Sequence, residues 1–147
     1  MLNTYLLEHN LSLIDIESDG YCVVRAWTTG MFLLPNGNND WQFHDLLNAA
    51  CQAVIDVPIL YDVPVTYQDE LRHYLESADY MSDTLDILPQ ALANVTKHEA
   101  NIHQIDEKGI ITTVLVSPVF ARPEGTINLV YHRYRHHYDA AVVGEYY

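Results

Sequence analysis

The sequence has few basic residues and few cysteines. Seven Lys and Arg stand against twenty Asp and Glu in 147 residues, which gives a net charge of −13 with neutral histidines. The average surface would therefore repel a phosphate backbone, so we expect no nucleic-acid partner. The two cysteines, Cys22 and Cys51, are too few for a disulfide-stabilised scaffold. Their number favours a reducing compartment such as the cytoplasm.

Long hydrophobic runs are also lacking. No apolar run approaches the ~20 residues that a membrane-spanning helix needs, and the N-terminus has no basic region of the kind that opens a signal peptide. We therefore expect neither a membrane span nor export. Six Pro and six Gly are scattered along the chain rather than gathered into a linker, and 49% of the residues are hydrophobic. This composition predicts a single domain over residues 1–147.

The spacing of hydrophobic residues changes near residue 100. Helical spacing predicts four helices, over residues 22–34, 43–54, 71–78 and 85–95. Strand-like runs follow at 102–105, 110–116, 127–131 and 137–143, and the first two flank a turn that is typical of a hairpin. Helices followed by a largely antiparallel sheet predict an α+β domain.

The first candidate site is a thiol at the start of a predicted helix. Cys22 directly follows a turn that contains Gly20. Unpaired amides and the positive end of the helix dipole lower a cysteine pKa and favour the thiolate. The amides of this turn could also hold an oxyanion, which makes Asp19, Gly20 and Tyr21 candidate oxyanion residues. On position alone, Cys22 is better explained as a small buried hydrophobe.

A nucleophilic thiol needs a general base, and the chain has eight histidines. Five of them lie beside polar neighbours and are predicted to be surface or cap residues: His9, His44, His73, His98 and His103. In a strand over 137–143, alternation places His137 and Asp139 on one face and His136 on the other. Only His137 then has a neighbouring carboxylate, which would accept an Nδ1–H bond and fix the tautomer.

Two other interpretations of this histidine-rich segment stay open. It could be an exposed hairpin, or His132, His136 and His137 could bind a metal ion. Metal is the weaker option, because these three residues do not share a strand face and a cysteine would have to supply a further ligand. We expect no metal and no cofactor. Cys51 lies on an apolar helical stripe, which predicts core packing.

Together the two motifs resemble those of the ovarian tumour (OTU) cysteine proteases, which are deubiquitinases of papain-like fold. The family's nucleophile motif, D-G-x-C-x-x-R-A, is matched by Asp19, Gly20, Cys22, Arg25 and Ala26. Its histidine motif, a β run followed by H-Y-D, is matched by residues 127–131 and then 137–139. The resemblance extends over roughly residues 11–143, and it implies helices packed on a sheet from the last third of the chain.

This resemblance implies a thiol protease that hydrolyses the isopeptide or peptide bond after the C-terminal glycine of ubiquitin or a ubiquitin-like protein. Cys22 would be the nucleophile, His137 the general acid and base, and Asp139 the residue that orients the imidazole. Ubiquitin conjugates would be the partner. The location would be the cytoplasm, or the cytosol of a host cell for a viral or bacterial protein. Linkage preference and oligomeric state stay open.

The acidic composition suits such a substrate, because ubiquitin's tail carries arginines before its terminal glycines. We assign to the substrate groove the residues Asp15, Glu17, Asp79, Asp83, Asp86 and His136. Two rival functions stay open as well. One is a papain-like amidase or acyl transferase with another substrate, and the other is a catalytically silent ubiquitin-binding scaffold. The intact set of reacting residues argues against the scaffold.

Overall fold

The computed structural model describes residues 2–35, 41–77 and 87–144. Its α-helices are α1 Leu2–Glu8, α2 Cys22–Phe32, α3 Phe43–Asp56, α4 Tyr67–Ser77 and α5 Leu88–Thr96. Its strands are β1 Leu11–Ile14, β2 Glu99–Ile105, β3 Ile111–Val116, β4 Thr126–His132 and β5 His137–Val143. Short 3-10 helices lie at Pro58–Tyr61 and Arg133–Arg135. Within these residues no helix has both the length and the apolar character needed to cross a bilayer.

The strands form one mixed sheet with the order β1-β5-β4-β2-β3. Neighbouring strands are antiparallel except for β2 and β4, which run parallel because the chain passes through β3 before it returns on the other side of β2. The predicted hairpin is confirmed, with Ile105 opposite Ile111. The predicted α+β class is also confirmed. Four of the five strands come from the last third of the chain, as expected, and β1 adds one edge from the N-terminal region.

Helix α2 carries the candidate cysteine to the sheet. It packs against β5 and β4, and Val24, Ala26 and Trp27 on its inner face are fully buried. A Cβ atom at Gly30 would lie 3.2 Å from the Cβ of Ile127 on β4, so the glycine permits this close helix–sheet approach. The approach sets the first residue of α2 beside the first residues of β5.

Candidate active site

Two charged side chains, Asp19 and Arg25, stabilise the turn before Cys22. Asp19 accepts the Tyr21 N–H through Oδ1 at 3.0 Å and the Arg25 Nε–H through Oδ2 at 2.8 Å. The guanidinium carbon of Arg25 also lies 4.1 Å from the centroid of the Phe43 ring, in a cation–π arrangement. Two residues of the nucleophile motif therefore have a structural purpose, which is to fix the start of α2.

Helix α4 holds the same turn from the other side. The Tyr21 hydroxyl lies 3.1 Å from the carbonyl oxygens of both Tyr74 and Leu75 and donates to them. In return, the hydroxyl of Tyr74, which is fully buried, donates to the carbonyl of Gly20 at 2.5 Å. These reciprocal bonds make the cysteine turn a preorganised element of the fold.

The hydrogen bonds of the turn narrow the choice of oxyanion donors. The Tyr21 N–H is already bound by Asp19, so the expectation that Tyr21 supplies a free amide is not supported. The Cys22 N–H makes a long bond of 3.3 Å to the carbonyl of Asp19. Among the described residues, the amides of Asp19 and Gly20 donate no hydrogen bond, which leaves them available to an oxyanion.

The sulfur of Cys22 lies against the main chain on both sides of His137. Sγ accepts the Tyr138 N–H at 3.4 Å, and the thiol donates to the carbonyl of His136 at 3.9 Å. The side chain is 2% exposed. Across the described residues no hydrogen bond joins Sγ directly to the imidazole, and catalytic hydrogen bonds of this kind often form only when substrate binds.

The electrostatic environment of Cys22 differs from the sequence-based expectation. Burial raises the pKa of the thiol, and the Asp19 carboxylate raises it further, while the Tyr138 and Val23 amides oppose this rise. The expectation of a lowered pKa is therefore wrong, because desolvation outweighs the helix start. The resting group is a neutral thiol that needs a base to remove its proton.

Cys51 lies in the core, as predicted. Its side chain is fully buried on α3, and desolvation raises its pKa to about 12. It therefore serves as an internal reference for an unreactive, structural cysteine.

Alkylation by iodoacetamide should distinguish the two thiols in the folded protein. We expect Cys22 to be labelled and Cys51 to stay unmodified, with a Cys22 rate that rises with pH and reaches half its maximum above pH 9.0, the ordinary value for the group. Peptide mass spectrometry would report each site, and Cys51→Ala is the matched control. A rate that is already maximal at neutral pH would contradict the neutral-thiol description.

The imidazole of His137 is held by Asp139 through the ring nitrogen opposite to the one predicted. Nε2, not Nδ1, lies 2.8 Å from Asp139 Oδ1. The two residues are alternate members of one strand, and Nε2 is the ring nitrogen farther from the main chain, so it reaches the carboxylate. This leaves Nδ1, which lies 3.3 Å from the Ser18 hydroxyl, as the atom that can exchange a proton with a thiol.

The buried carboxylate of Asp139 contacts three parts of the chain: β4, β5 and the segment after β1. Its Oδ1 also accepts the Ile16 N–H at 2.9 Å, and its Oδ2 lies 3.0 Å from Nε2 of His132. Burial by itself would raise the pKa of this carboxyl, but the hydrogen bonds from His132, Ile16 and His137 together hold it below its usual value. The group is therefore an anion at neutral pH although it is only 3% exposed.

Removing this carboxylate should destabilise the protein. Asp139→Ala leaves two buried imidazole N–H groups without an acceptor, so we expect the free energy of unfolding to fall by ~2–4 kcal/mol. Because the pKa of Asp139 is lowered in the fold, this contribution is complete above about pH 4 and is lost as pH falls through the lower folded-state pKa. Urea denaturation at several pH values measures it.

The exposed Asp15 provides the matched control for that experiment, and Asp15→Ala should change stability by less than ~0.5 kcal/mol. Equal stability of the Asp139 and Asp15 variants at pH 7 would contradict the stabilising role of the Asp139 carboxylate.

The remaining predicted site residues lie around this centre or outside the description. Asp15 and Glu17 are exposed and flank Ile16, whose amide binds Asp139. His136 is exposed in a left-handed conformation, with Nδ1 3.4 Å from the Tyr131 hydroxyl. Asp79, Asp83 and Asp86, which were predicted to contact substrate, lie outside the described residues. Among residues 2–35, 41–77 and 87–144, no three His, Cys, Asp or Glu side chains are grouped as a metal site.

Sequence reasoning missed several residues. His132 and Ser18, which contact Asp139 and His137 respectively, carry no predicted role at this site. The prediction that His103 is a surface or cap residue is wrong, since it is 5% exposed and lies within β2. His98 is 3% exposed, but its Nδ1 lies 2.8 Å from the carbonyl of Thr96 at the end of α5, which agrees with the cap alternative. The other three histidines of that group are exposed as predicted. The burial of His103 depends on the packing of α1 and the sheet, which no local pattern around this histidine reveals.

A groove of about 970 Å³ lies next to the segment that contacts the sulfur, although Cys22 and His137 are not among its lining residues. Its walls include Tyr138 and His136, whose peptide groups bind Sγ, together with Tyr131 and the acidic turn residues Asp106 and Glu107. Its walls also include the basic side chains of Lys108 and Arg133, and its volume is in the range of small-molecule and peptide sites.

The structure thus places a thiol at the start of a helix against a strand that carries an imidazole and a carboxylate. No protein-family model and no curated protein sequence matches the chain. Several solved structures, in contrast, match it over most of its length. The OTU domain of OTUD1 has a TM-score of 0.69 at 15% identity over 96% of this chain and 91% of that one. An OTU deubiquitinase from Wolbachia pipientis wMel bound to ubiquitin has 0.63 at 8% identity, over 91% and 96%.

The Hazara virus OTU bound to ubiquitin has a TM-score of 0.57 at 12% identity, and the match covers 92% of this chain and 83% of that one. The chain therefore has the fold of OTU domains, and the resemblance read from its two motifs is confirmed at the level of the fold.

Proposed function

We propose that the protein is a cysteine protease that hydrolyses the bond after the C-terminal glycine of ubiquitin or a ubiquitin-like protein. The observation that carries this proposal is the position of Cys22 Sγ against the two peptide groups that flank His137, whose ring is bound to Asp139. A reducing cytosol, of the cell itself or of a host, fits a site built on a free thiol.

Catalysis begins with removal of the thiol proton. Nδ1 of His137 takes the proton from Sγ, while its Nε2–H stays bound to Asp139, which stabilises the imidazolium. The thiolate then attacks the glycine carbonyl carbon, and a C–S bond forms as the carbonyl electrons move to oxygen. The free amides of Asp19 and Gly20 would bind that oxyanion.

Collapse of this intermediate breaks the C–N bond. His137 gives the proton on Nδ1 to the departing amine, which leaves as a neutral lysine side chain, and the modifier remains as a thioester on Cys22. His137 next removes a proton from water, hydroxide adds to the thioester carbonyl, and the thiolate leaves. The products are a free carboxylate on the modifier and the regenerated thiol and imidazole.

Three observations support a ubiquitin-type substrate. Two of the structural neighbours are described as bound to ubiquitin, in a fold that this chain shares. A groove of about 970 Å³ is lined by His136 and Tyr138, whose peptide groups contact Sγ. The net charge of −13 suits a basic tail rather than an acidic one.

A panel of fluorogenic amides tests the substrate class. Ubiquitin and ubiquitin-like proteins with a fluorophore amide on the terminal glycine would be compared with a short peptide that ends in the same glycines. We expect kcat/KM to be at least ~100-fold higher for one intact modifier than for the peptide, because remote contacts contribute binding energy. Faster cleavage of short amides than of any modifier would favour the rival amidase. Binding of ubiquitin without any cleavage would favour the silent scaffold.

The predicted acidic contacts should make cleavage sensitive to salt. We expect KM for the modifier to rise when ionic strength increases from 0.05 to ~0.5 M, because screening weakens exposed charge pairs. Asp15→Asn combined with Glu17→Gln should raise KM about three- to tenfold at low salt and flatten that dependence. Steady-state kinetics would report it.

Glu107→Gln, at the exposed turn beside the groove, is the matched comparison with one fewer charge. If only this variant raises KM, the tail follows the hairpin and the assignment of Asp15 and Glu17 is wrong.

A further inference from the structure

A second buried histidine contacts the carboxylate of the active site. His132 is the last residue of β4, pairs with His137 across the β4–β5 register, and is 6% exposed. The two imidazole centroids are 5.9 Å apart. Its Nε2 lies 3.0 Å from Asp139 Oδ2, while Nε2 of His137 lies 2.8 Å from Oδ1. One carboxylate therefore bridges two imidazoles.

The chemistry of the carboxylate fixes the proton on both rings. An ionised carboxylate accepts hydrogen bonds and has none to donate, so each imidazole must present an N–H to it. In both rings that atom is Nε2. When neutral, each ring is therefore the Nε2–H tautomer, and its Nδ1 carries a lone pair.

The two Nδ1 atoms have different surroundings. Nδ1 of His137 lies beside the exposed Ser18 hydroxyl, so a proton on it has an acceptor nearby. Nδ1 of His132 is buried, and among the described residues it has no hydrogen-bond partner. A second proton there would be a buried donor without an acceptor, which is strongly unfavourable. The contact that His132 makes in this structure is therefore the hydrogen bond that its Nε2–H donates to Asp139.

We propose that His132 is a positioning residue of this active site. By occupying Oδ2 of Asp139, it orients the carboxylate so that Oδ1 faces the Nε2–H of His137. This contact keeps the ring of His137 in the tautomer whose Nδ1 carries the lone pair that can accept the thiol proton. The inference rests on the proposed function, because positioning has kinetic meaning only if His137 transfers protons.

Within the described part of the chain, the other groups around His132 provide no alternative partner for its Nδ1. Strand β2 contributes Ile105 beside it, and the 3-10 helix after β4 contributes the ring of Tyr134, with centroids 6.2 Å apart. The titratable groups that face it are thus Asp139 and His137 from β5 and Tyr134 from the 3-10 helix. Removal of the His132 donor would also raise the pKa of Asp139, because its bond is the largest of those that lower it.

Two substitutions separate positioning from the filling of volume. His132→Leu keeps an apolar side chain of similar bulk but removes the donor, and His132→Gln places an amide N–H near the position of Nε2. We expect His132→Leu to lower kcat about 10- to 100-fold with KM changed by less than about threefold, and His132→Gln to restore kcat to within about fivefold. His103→Leu removes another buried histidine of the sheet and should leave kcat within about threefold. Equal kcat values for the leucine and glutamine variants would overturn the proposal.

Nuclear magnetic resonance tests the same inference without a substrate. Long-range ¹⁵N–¹H spectra report the tautomer of each imidazole, and we expect Nε2–H for both His132 and His137 in the unmodified protein. In His132→Leu the spectrum of His137 should become a mixture of tautomers, and His132→Gln should restore the single form. An Nδ1–H tautomer of His132 in the unmodified protein would overturn the proposal even if His132→Leu fails to fold. Correct tautomers without cleavage of any modifier would instead indicate failure of the proposed function.

Discussion

Replacement of Cys22 by alanine is expected to lower kcat/KM for a ubiquitin C-terminal amide by ~10⁵-fold or more. Loss of the nucleophile removes the covalent route entirely, and such variants of other covalent hydrolases lose activity on this scale. The sulfur lies against the peptide groups on either side of His137, where no other thiol of the described chain is present. Hydrolysis of the fluorogenic amide would measure the loss.

The effect should be confined to Cys22. Cys51→Ala removes the other thiol from the core of α3 and should keep kcat/KM within about threefold, provided the variant folds. Substrate binding by Cys22→Ala should persist, since the alanine keeps the groove intact. Residual turnover of Cys22→Ala above ~1% of the original rate would contradict the assignment of the nucleophile.

Substitution of His137 by glutamine should produce the second largest loss, about 10³- to 10⁴-fold in kcat. The imidazole acts as base for the thiol and acid for the leaving amine, and general acid–base catalysis contributes ~10²–10⁴. The glutamine amide can still donate a hydrogen bond to the carboxylate of Asp139, so this contact is kept while the proton acceptor Nδ1 is lost. His44→Gln, at an exposed position of α3, is the matched control.

The pH dependence of His137→Gln gives a sharper test. Burial raises the pKa of the Cys22 thiol, so without a base the reactive thiolate becomes more abundant only as pH increases. The residual rate of this variant should therefore rise about tenfold per pH unit through neutrality and level off only above the ordinary thiol value. A residual rate that is independent of pH between 6 and 9 would contradict the role of His137 as the base.

Local signals in the sequence predicted the main elements and both halves of the site. Two short-range patterns predicted these residues: the turn before Cys22, and the alternation of His137 with Asp139. The structure places Cys22 at the start of α2 and the ring of His137 beside the carboxylate of Asp139, as expected. The two elements that the sequence did not predict, α1 and β1, are both short. The seven residues of α1 and the four of β1 contain too few hydrophobic positions to define a period.

Contacts between distant segments account for the remaining differences. The Ile16 amide reaches Asp139 only because β1 pairs with β5, a pairing that no local pattern indicates. The thiol pKa depends on how deeply α2 packs, which the helix start alone does not determine. His132 is different, because a tight bend between two antiparallel strands already places it opposite His137, and that signal was present in the sequence.

Ubiquitin that carries a thiol-reactive electrophile in place of its terminal carboxylate provides the most direct test of the site. The protein should form a single covalent adduct, heavier by the mass of one modifier, and peptide mapping should locate the bond on Cys22. The adduct should be absent in Cys22→Ala and slow in His137→Gln. An adduct on Cys51, or undiminished labelling of Cys22→Ala, would show that the sulfur at the start of α2 is not the nucleophile.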